Sequence, residues 1–219
     1  MFRSNIGPGR IRLFSVIAAV TLSLFIISCQ GTVSVPGSVD FGNADSPVRI
    51  ELFTDYQCPV CTRFHDEVES ALIRELVDNR GFLFRVTPVA LLGEESALAG
   101  AYALAARDQG RFEEYAALLY GAQTEINSGN YTEENLRQLA SGIGLDTARM
   151  ESAVERNGYL EVIAGNTAIA RNLGISGPPS FAIVYTLDEQ RRYELIQGFV
   201  SLPVFIDYLD QVETLIRDQ

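Results

Sequence analysis

The chain predicts an α/β fold: a central mixed sheet flanked by helices, with a helical subdomain inserted between its strands. Two observations carry this expectation. Short β-branched and aromatic runs lie on either side of about eighty residues of helical periodicity, and an amphipathic helix closes the sequence. With 219 residues, of which 47% are hydrophobic, the chain can bury one large core.

Residues 48–53 form the first predicted strand, with Val48, Ile50 and Leu52 on one face, and Thr54-Asp55-Tyr56-Gln57 breaks it before Cys58. A helix follows over residues 58–78, because Phe64, Val68, Leu72 and Leu76 recur at every fourth position and Asn79-Arg80-Gly81 supplies a stop. Residues 82–89 read as a second strand. From 94 to 173 the pattern is helical, with Ala-rich stretches over 97–106 and 112–121 separated at Gly110. Thr132 and Asp146 stand as N-caps of two further short helices, and 159–173 makes the last helix of the block. Strands return over 181–185 and 193–199, joined by the polar turn Leu187-Asp188-Glu189-Gln190, before a helix over 202–216. No internal repeat interrupts this order. The expected division is a signal segment over 1–28, a tether over 29–46, a sheet domain from 47–92 and 175–219, and the helical insertion 93–174.

The first thirty residues read as an address. Arg3, Arg10 and Arg12 precede an apolar run over 13–27 that ends in Ile26-Ile27-Ser28-Cys29. This is the shape of a secretory signal, and the run is short against the roughly twenty residues needed to span a bilayer. Its ending resembles a bacterial lipobox, which implies lipidation at Cys29 and cleavage just before it. Residues 30–47, with Pro36, Gly37, Gly42, Asn43 and Pro47, then read as a tether holding at most a short edge strand.

Composition removes several chemistries. The 28 acidic residues outnumber the 17 basic ones, and loss of 1–28 would take three arginines and no acid. So acidic a surface repels nucleic acid and anionic lipid. No lysine is present, which excludes Schiff-base, Ser–Lys and phosphate-loop chemistry. His65 is the single histidine, so a multi-histidine metal site is excluded as well.

Cys58-Pro59-Val60-Cys61 stands where the first strand turns into a helix. At that position unpaired backbone N–H groups and the helix dipole favour a thiolate on Cys58. Pro59 suits the first helical turn, having no N–H to leave unpaired. A Cys58 thiolate can attack a disulfide, or Cys58 can be the sulfur attacked, giving a mixed disulfide that Cys61, the more buried partner, resolves. An inert structural disulfide and a metal site are the alternatives. For the latter, Cys58, Cys61 and His65 could share one helical face, although nothing completes a four-ligand set. Before the third strand, Gly177-Pro178-Pro179-Ser180-Phe181 offers either a plain turn or a cis-proline loop beside the cysteines, with backbone groups free to pair with an extended substrate.

The run from Phe53 to Cys61, then Phe64-His65, and later Gly174-Ile175-Ser176-Gly177-Pro178-Pro179-Ser180-Phe181 resemble the DsbA-like thiol–disulfide oxidoreductases, over roughly residue 47 to the C-terminus. The resemblance implies a thioredoxin-like fold, with Cys58 as nucleophile, Cys61 as resolving thiol and Pro179 as the cis-proline. It further implies substrate contacts at Pro59, Val60 and Pro178, and no cofactor. The implied partners are cysteine-containing exported proteins and a membrane thiol-redox protein for recycling, at an extracytoplasmic, lipid-anchored location. Two positions depart from the family. Val60 stands where strongly oxidising members carry a histidine, which implies a weaker oxidant. Leu52, six residues before Cys58, takes the place of a buried acid found in thioredoxin relatives, while strand alternation sends Glu51 to the opposite face.

Overall fold

The computed structural model describes residues 37–218. The signal segment and Cys29 lie outside the described residues. Five strands form one mixed sheet: β1 Val39–Gly42, β2 Val48–Thr54, β3 Leu83–Pro88, β4 Ser180–Leu187 and β5 Gln190–Gln197. Their order is β1-β3-β2-β4-β5. Only β2 and β3 are parallel, and that pair needs a crossover, which the helix between them supplies. Every residue of the central β2 is buried.

The edge strand β1 falls inside the segment expected to be a tether. It pairs antiparallel with β3, and Asp40 and Arg85, opposite one another in that register, form an ion pair at 2.6 Å. At the other edge, β4 and β5 extend further than the sequence pattern indicates. Asp188 and Glu189 take positive φ values of 52° and 61°, so a two-residue turn lets pairing run out to Leu187 and Gln190.

The crossover helix is continuous over residues 59–79, but its α-helical parts α1 (Pro59–Phe64) and α2 (Ser70–Ile73) alternate with π-helical turns at His65–Glu69 and Arg74–Asn79. The apolar spacing accounts for this. In a regular α-helix a step of four overshoots one turn by about 40°, so residues 64, 68, 72 and 76 would wind away from the sheet. The wider π turns hold them back, and Phe64, Val68, Leu72 and Leu76 are all buried.

The insertion comprises α3 Glu94–Arg107, α4 Phe112–Gly121, α5 Glu133–Gly142, α6 Thr147–Arg156 and α7 Tyr159–Asn172. The Thr132 and Asp146 side chains cap α5 and α6 by accepting from Asn135 and Arg149 N–H. Helix α3 is covered by α4, α6 and α7. Its small residues answer that enclosure: a Cβ at Gly100 would stand 2.9 Å from Ile163 Cδ1. One hydrophobic cluster runs from the sheet and Cys61 through α3 to Met150, so insertion and sheet share a core. Helix α8, Leu202–Arg217, covers the sheet with Phe205, Leu209 and Val212. Among the described residues no helix is long and apolar enough to cross a membrane.

Candidate active site

Two nested turns deliver Cys58 from the end of β2. The Asp55 carboxylate accepts the Gln57 N–H at 3.0 Å, and the Asp55 carbonyl accepts the Cys58 N–H, also at 3.0 Å. Cys58 then occupies the N-cap of α1 with extended backbone, its carbonyl accepting the Thr62 N–H. Pro59 and Val60 fill the first helical positions and face solvent, Val60 with 41% of its surface exposed. Cys61 lies one turn in and is buried to 1%, against 5% for Cys58.

The second motif arrives by strand pairing. Phe53 pairs with Ser180 in the antiparallel β2–β4 register, so the segment after β2 and the segment before β4 emerge at the same end of the sheet. Cys58 Sγ consequently sits 3.4 Å from the Pro178 carbonyl, to which the thiol donates. The Pro178–Pro179 peptide bond is cis. Pro179 is buried, and its carbonyl accepts the Gly198 N–H at 2.8 Å. Of the residues singled out in the sequence, Cys58, Cys61, Pro59, Val60, Pro178 and Pro179 therefore share one locale.

The two thiols differ in acidity. The Cys61 S–H donating to Cys58 is the largest influence on Cys58; burial opposes it, and the Cys61 and Val60 N–H groups at the helix start add to it. The Cys58 pKa falls to about 7. Burial, together with the proton shared towards Cys58, pushes Cys61 well above the ordinary thiol range. This asymmetry lets one sulfur react while its neighbour holds a proton in reserve.

His65 turns away from the sulfurs. Its Nδ1 lies 2.6 Å from Glu69 and its ring stacks on Tyr120 at 4.6 Å. Among the described residues no three His, Cys, Asp or Glu side chains gather where they could hold a metal ion. Leu52 packs in the core with both cysteines, whereas Glu51 points to the opposite face, pairs with Arg49 and accepts from Thr87 at 3.1 Å.

The residues between β2 and Cys58 form a part of the site that spacing alone does not reveal. Thr54 Oγ1 is 2.6 Å from the Tyr120 hydroxyl. The second carboxylate oxygen of Asp55 accepts the Leu91 and Leu92 N–H groups at 2.9 and 3.1 Å. The Tyr56 carbonyl accepts the Tyr131 hydroxyl at 2.9 Å. Gln57 donates to Ser96 and Asn127 and accepts the Asn127 N–H at 2.6 Å. Each of the four residues is thus held by the insertion or by the loop leading to it. The available signal was three polar side chains between an apolar strand and the cysteines.

A dithiol at the start of the helix that follows a central strand, faced by a cis-proline loop, defines a thioredoxin-type fold equipped for disulfide exchange. Residues 34–201 match the family model described as thioredoxin, and the chain belongs to that family. It is similar to the crystal structure of a thioredoxin-like oxidoreductase from Silicibacter pomeroyi DSS-3, with 30% identity, a TM-score of 0.65, and 82% of this chain and 94% of that one covered. The fold also matches BdbD from Bacillus subtilis (17% identity, TM-score 0.67, 81% and 94% covered). A third match is α-DsbA1 from Wolbachia pipientis (17% identity, TM-score 0.69, 82% and 92% covered). No match was found among curated proteins.

Proposed function

We propose that the chain is a thiol–disulfide oxidoreductase that oxidises cysteine pairs in exported proteins through Cys58 and Cys61. The observation that carries the thiol–disulfide chemistry, in either direction, is Cys58 at the helix N-cap, 3.4 Å from the carbonyl of the cis Pro178–Pro179 pair, with Cys61 buried one turn behind it. The oxidising direction follows the resemblance to the DsbA-like enzymes. A substrate thiolate attacks Cys58 of the oxidised pair and Cys61 leaves; a second substrate thiolate then displaces Cys58 and takes the disulfide away. Pro59, Val60 and Pro178 form the accessible surface beside Cys58 that a client peptide meets, with Pro179 buried beneath it, and the name of the Silicibacter protein, an oxidoreductase, is in support. A membrane thiol protein reoxidises the pair, and lipid on Cys29 holds the domain outside the cytoplasm.

One observation favours the reverse direction as a second reading. A Cys58 pKa of about 7 matches that of reducing thioredoxins, about 7, and not the value near 3.5 of the strong oxidant DsbA. Val60 supplies no charge that would lower it further. The reduction potential decides between them: about −120 mV marks a DsbA-like oxidant, and about −270 mV a thioredoxin-like reductant.

The test of the reading is trapping. Cys61→Ser should accumulate mixed disulfides between Cys58 and envelope proteins, which a reducing gel resolves and Cys58→Ser abolishes. Absence of any adduct with Cys61→Ser would sink the proposal. Anchoring is tested separately: Cys29→Ser should move the protein from the membrane fraction to the soluble one and remove incorporation of labelled fatty acid.

A further inference from the structure

Cys58 leaves a loop that no strand ladder holds, yet its sulfur must stay at the start of α1, where backbone N–H groups are free, and 3.4 Å from the Pro178 carbonyl. The peptide group joining Gln57 to Cys58 sets the direction in which the Cys58 side chain departs. Both of its ends are pinned: the Cys58 N–H donates to the Asp55 carbonyl at 3.0 Å, and the Gln57 carbonyl accepts from the Gln123 amide at 3.3 Å.

The Gln57 side chain, with 1% of the residue exposed, adds a second anchor. Backbone groups fix the direction of its bonds, because they cannot exchange donor and acceptor roles. The Asn127 N–H can only donate, so the atom it meets at 2.6 Å is the Gln57 oxygen. The Gln57 nitrogen then directs its two protons to Ser96 Oγ at 2.8 Å and Asn127 Oδ1 at 3.1 Å. The Leu92 carbonyl can only accept, so it takes its proton from Asn127 Nδ2 at 3.0 Å, and this leaves Asn127 Oδ1 for Gln57.

Two backbone exceptions meet at this contact. Asn127 takes a φ of 54°, a conformation that asparagine tolerates better than most side chains. Gly93 makes room for it, since a Cβ there would stand 2.4 Å from Asn127 Oδ1. The rest of the loop is tied to the same place: the Glu95 carboxylate accepts the Gly129 and Tyr131 N–H groups at 2.9 and 3.0 Å. Glu95 and Ser96 are successive residues in the first turn of α3, the helix that α4, α6 and α7 enclose. Gln57 and the Asn127 loop are therefore referred to one rigid frame.

We propose that Gln57 and Asn127 are positioning residues that clamp the nucleophile: Gln57 fixes the peptide group that aims Cys58, and Asn127, together with Ser96, locks Gln57 to the start of α3. The role rests on the oxidoreductase reading above, and it gives the residue before the dithiol the task of alignment instead of substrate contact.

The experiment uses the reduced full chain carrying Cys29→Ser, so that two thiols remain, and an aromatic disulfide, 5,5′-dithiobis(2-nitrobenzoate). In the first phase the Cys58 thiolate bonds to one sulfur as the aromatic S–S bond breaks, and one coloured thiolate leaves. Asn127→Gly keeps the backbone N–H and tolerates the positive φ but loses the side chain; it should slow this phase about threefold, the scale of a neutral hydrogen bond. Gln57→Leu should slow it about tenfold, the scale of two or more such bonds. In both variants the pH midpoint of the phase should rise, which a loss of stability alone would not cause. The double variant should be no slower than Gln57→Leu, because Asn127 acts only through Gln57. An unchanged rate and midpoint in Asn127→Gly, or a double variant slowed by the product of the two single losses, overturns the proposal. Should Gln57→Leu fail to fold, Asn127→Gly alone decides. Absence of the first phase in the chain with Gln57 and Asn127 intact is a different failure, that of the oxidoreductase reading itself.

Discussion

Removing the Cys61 thiol should raise the Cys58 pKa, because the Cys61 S–H is the largest influence holding it down. A hydrogen bond to a charged group contributes about 1.5–3 kcal/mol, and its low end corresponds to about one pKa unit. Cys61→Ala should therefore move the Cys58 ionisation midpoint from about 7 to about 8. At pH 7 the ionised fraction falls from about half to about a tenth, a fivefold loss. The rate of alkylation falls less, because a more basic thiolate is intrinsically more nucleophilic by about threefold per unit. A single rate at pH 7 would thus show only about a twofold decrease, and above pH 9 the variant should react faster than the parent. The assay is iodoacetamide alkylation of Cys58 in a Cys29→Ser chain, followed by mass spectrometry from pH 5 to 10. Cys61→Ser, which keeps an O–H donor, should fall between parent and Cys61→Ala. A midpoint unmoved in Cys61→Ala would refute the reasoning and assign the thiolate to the Val60 and residue-61 backbone N–H groups instead.

Two further predictions rest on buried polar groups. Burial works against a charge on His65, but the Glu69 carboxylate at 2.6 Å outweighs it and raises the pKa above 6.5. The pair's contribution to stability is complete below about pH 6.5 and is lost as pH rises through the folded value. Glu69→Gln should lower the His65 midpoint, read by NMR on the chain's single histidine, and remove that slope from denaturant titrations made with Cys58 replaced by Ser. An unmoved midpoint would remove Glu69 as the cause. Asp55→Ala strips the acceptor from the buried Gln57 N–H and from the part-buried Leu91 and Leu92 N–H groups and should cost roughly 2–5 kcal/mol in urea unfolding. Asp55→Asn should cost less, since one oxygen survives although its amide must face a donor; a loss under 1 kcal/mol for the alanine variant would mean water satisfies those groups.

What the sequence made legible is what local spacing encodes. The fourfold recurrence of Phe64, Val68, Leu72 and Leu76 announced a helix, and the Thr132 and Asp146 caps fixed two others to the residue. The two site motifs were visible as strings, and the antiparallel pairing of Phe53 with Ser180 explains why strings 120 positions apart meet at 3.4 Å. Alternation along β2 also separated Leu52 from Glu51 correctly. The π-helical turns were implicit in a spacing of four instead of 3.6, but a regular helix absorbs one such step without complaint, and only three in succession require the wider turn.

The segment 54–57 was illegible for a different reason. Taken locally, Thr-Asp-Tyr-Gln has the composition of an exposed turn, and nothing within it indicates that all four residues are buried to 1% or less. Their partners Tyr120, Tyr131, Ser96 and Asn127 lie 39 to 75 residues downstream. No periodicity links such distant positions. A short loop made of two turns has few hydrogen bonds of its own, so the insertion must supply the constraints that hold Cys58 at the N-cap. The helical block is in this sense part of the site: it positions the loop, holds Thr54 through Tyr120, and shares the core that buries the Cys61 sulfur. A change deep in the insertion can consequently reach the acidity of Cys58 without touching either cysteine.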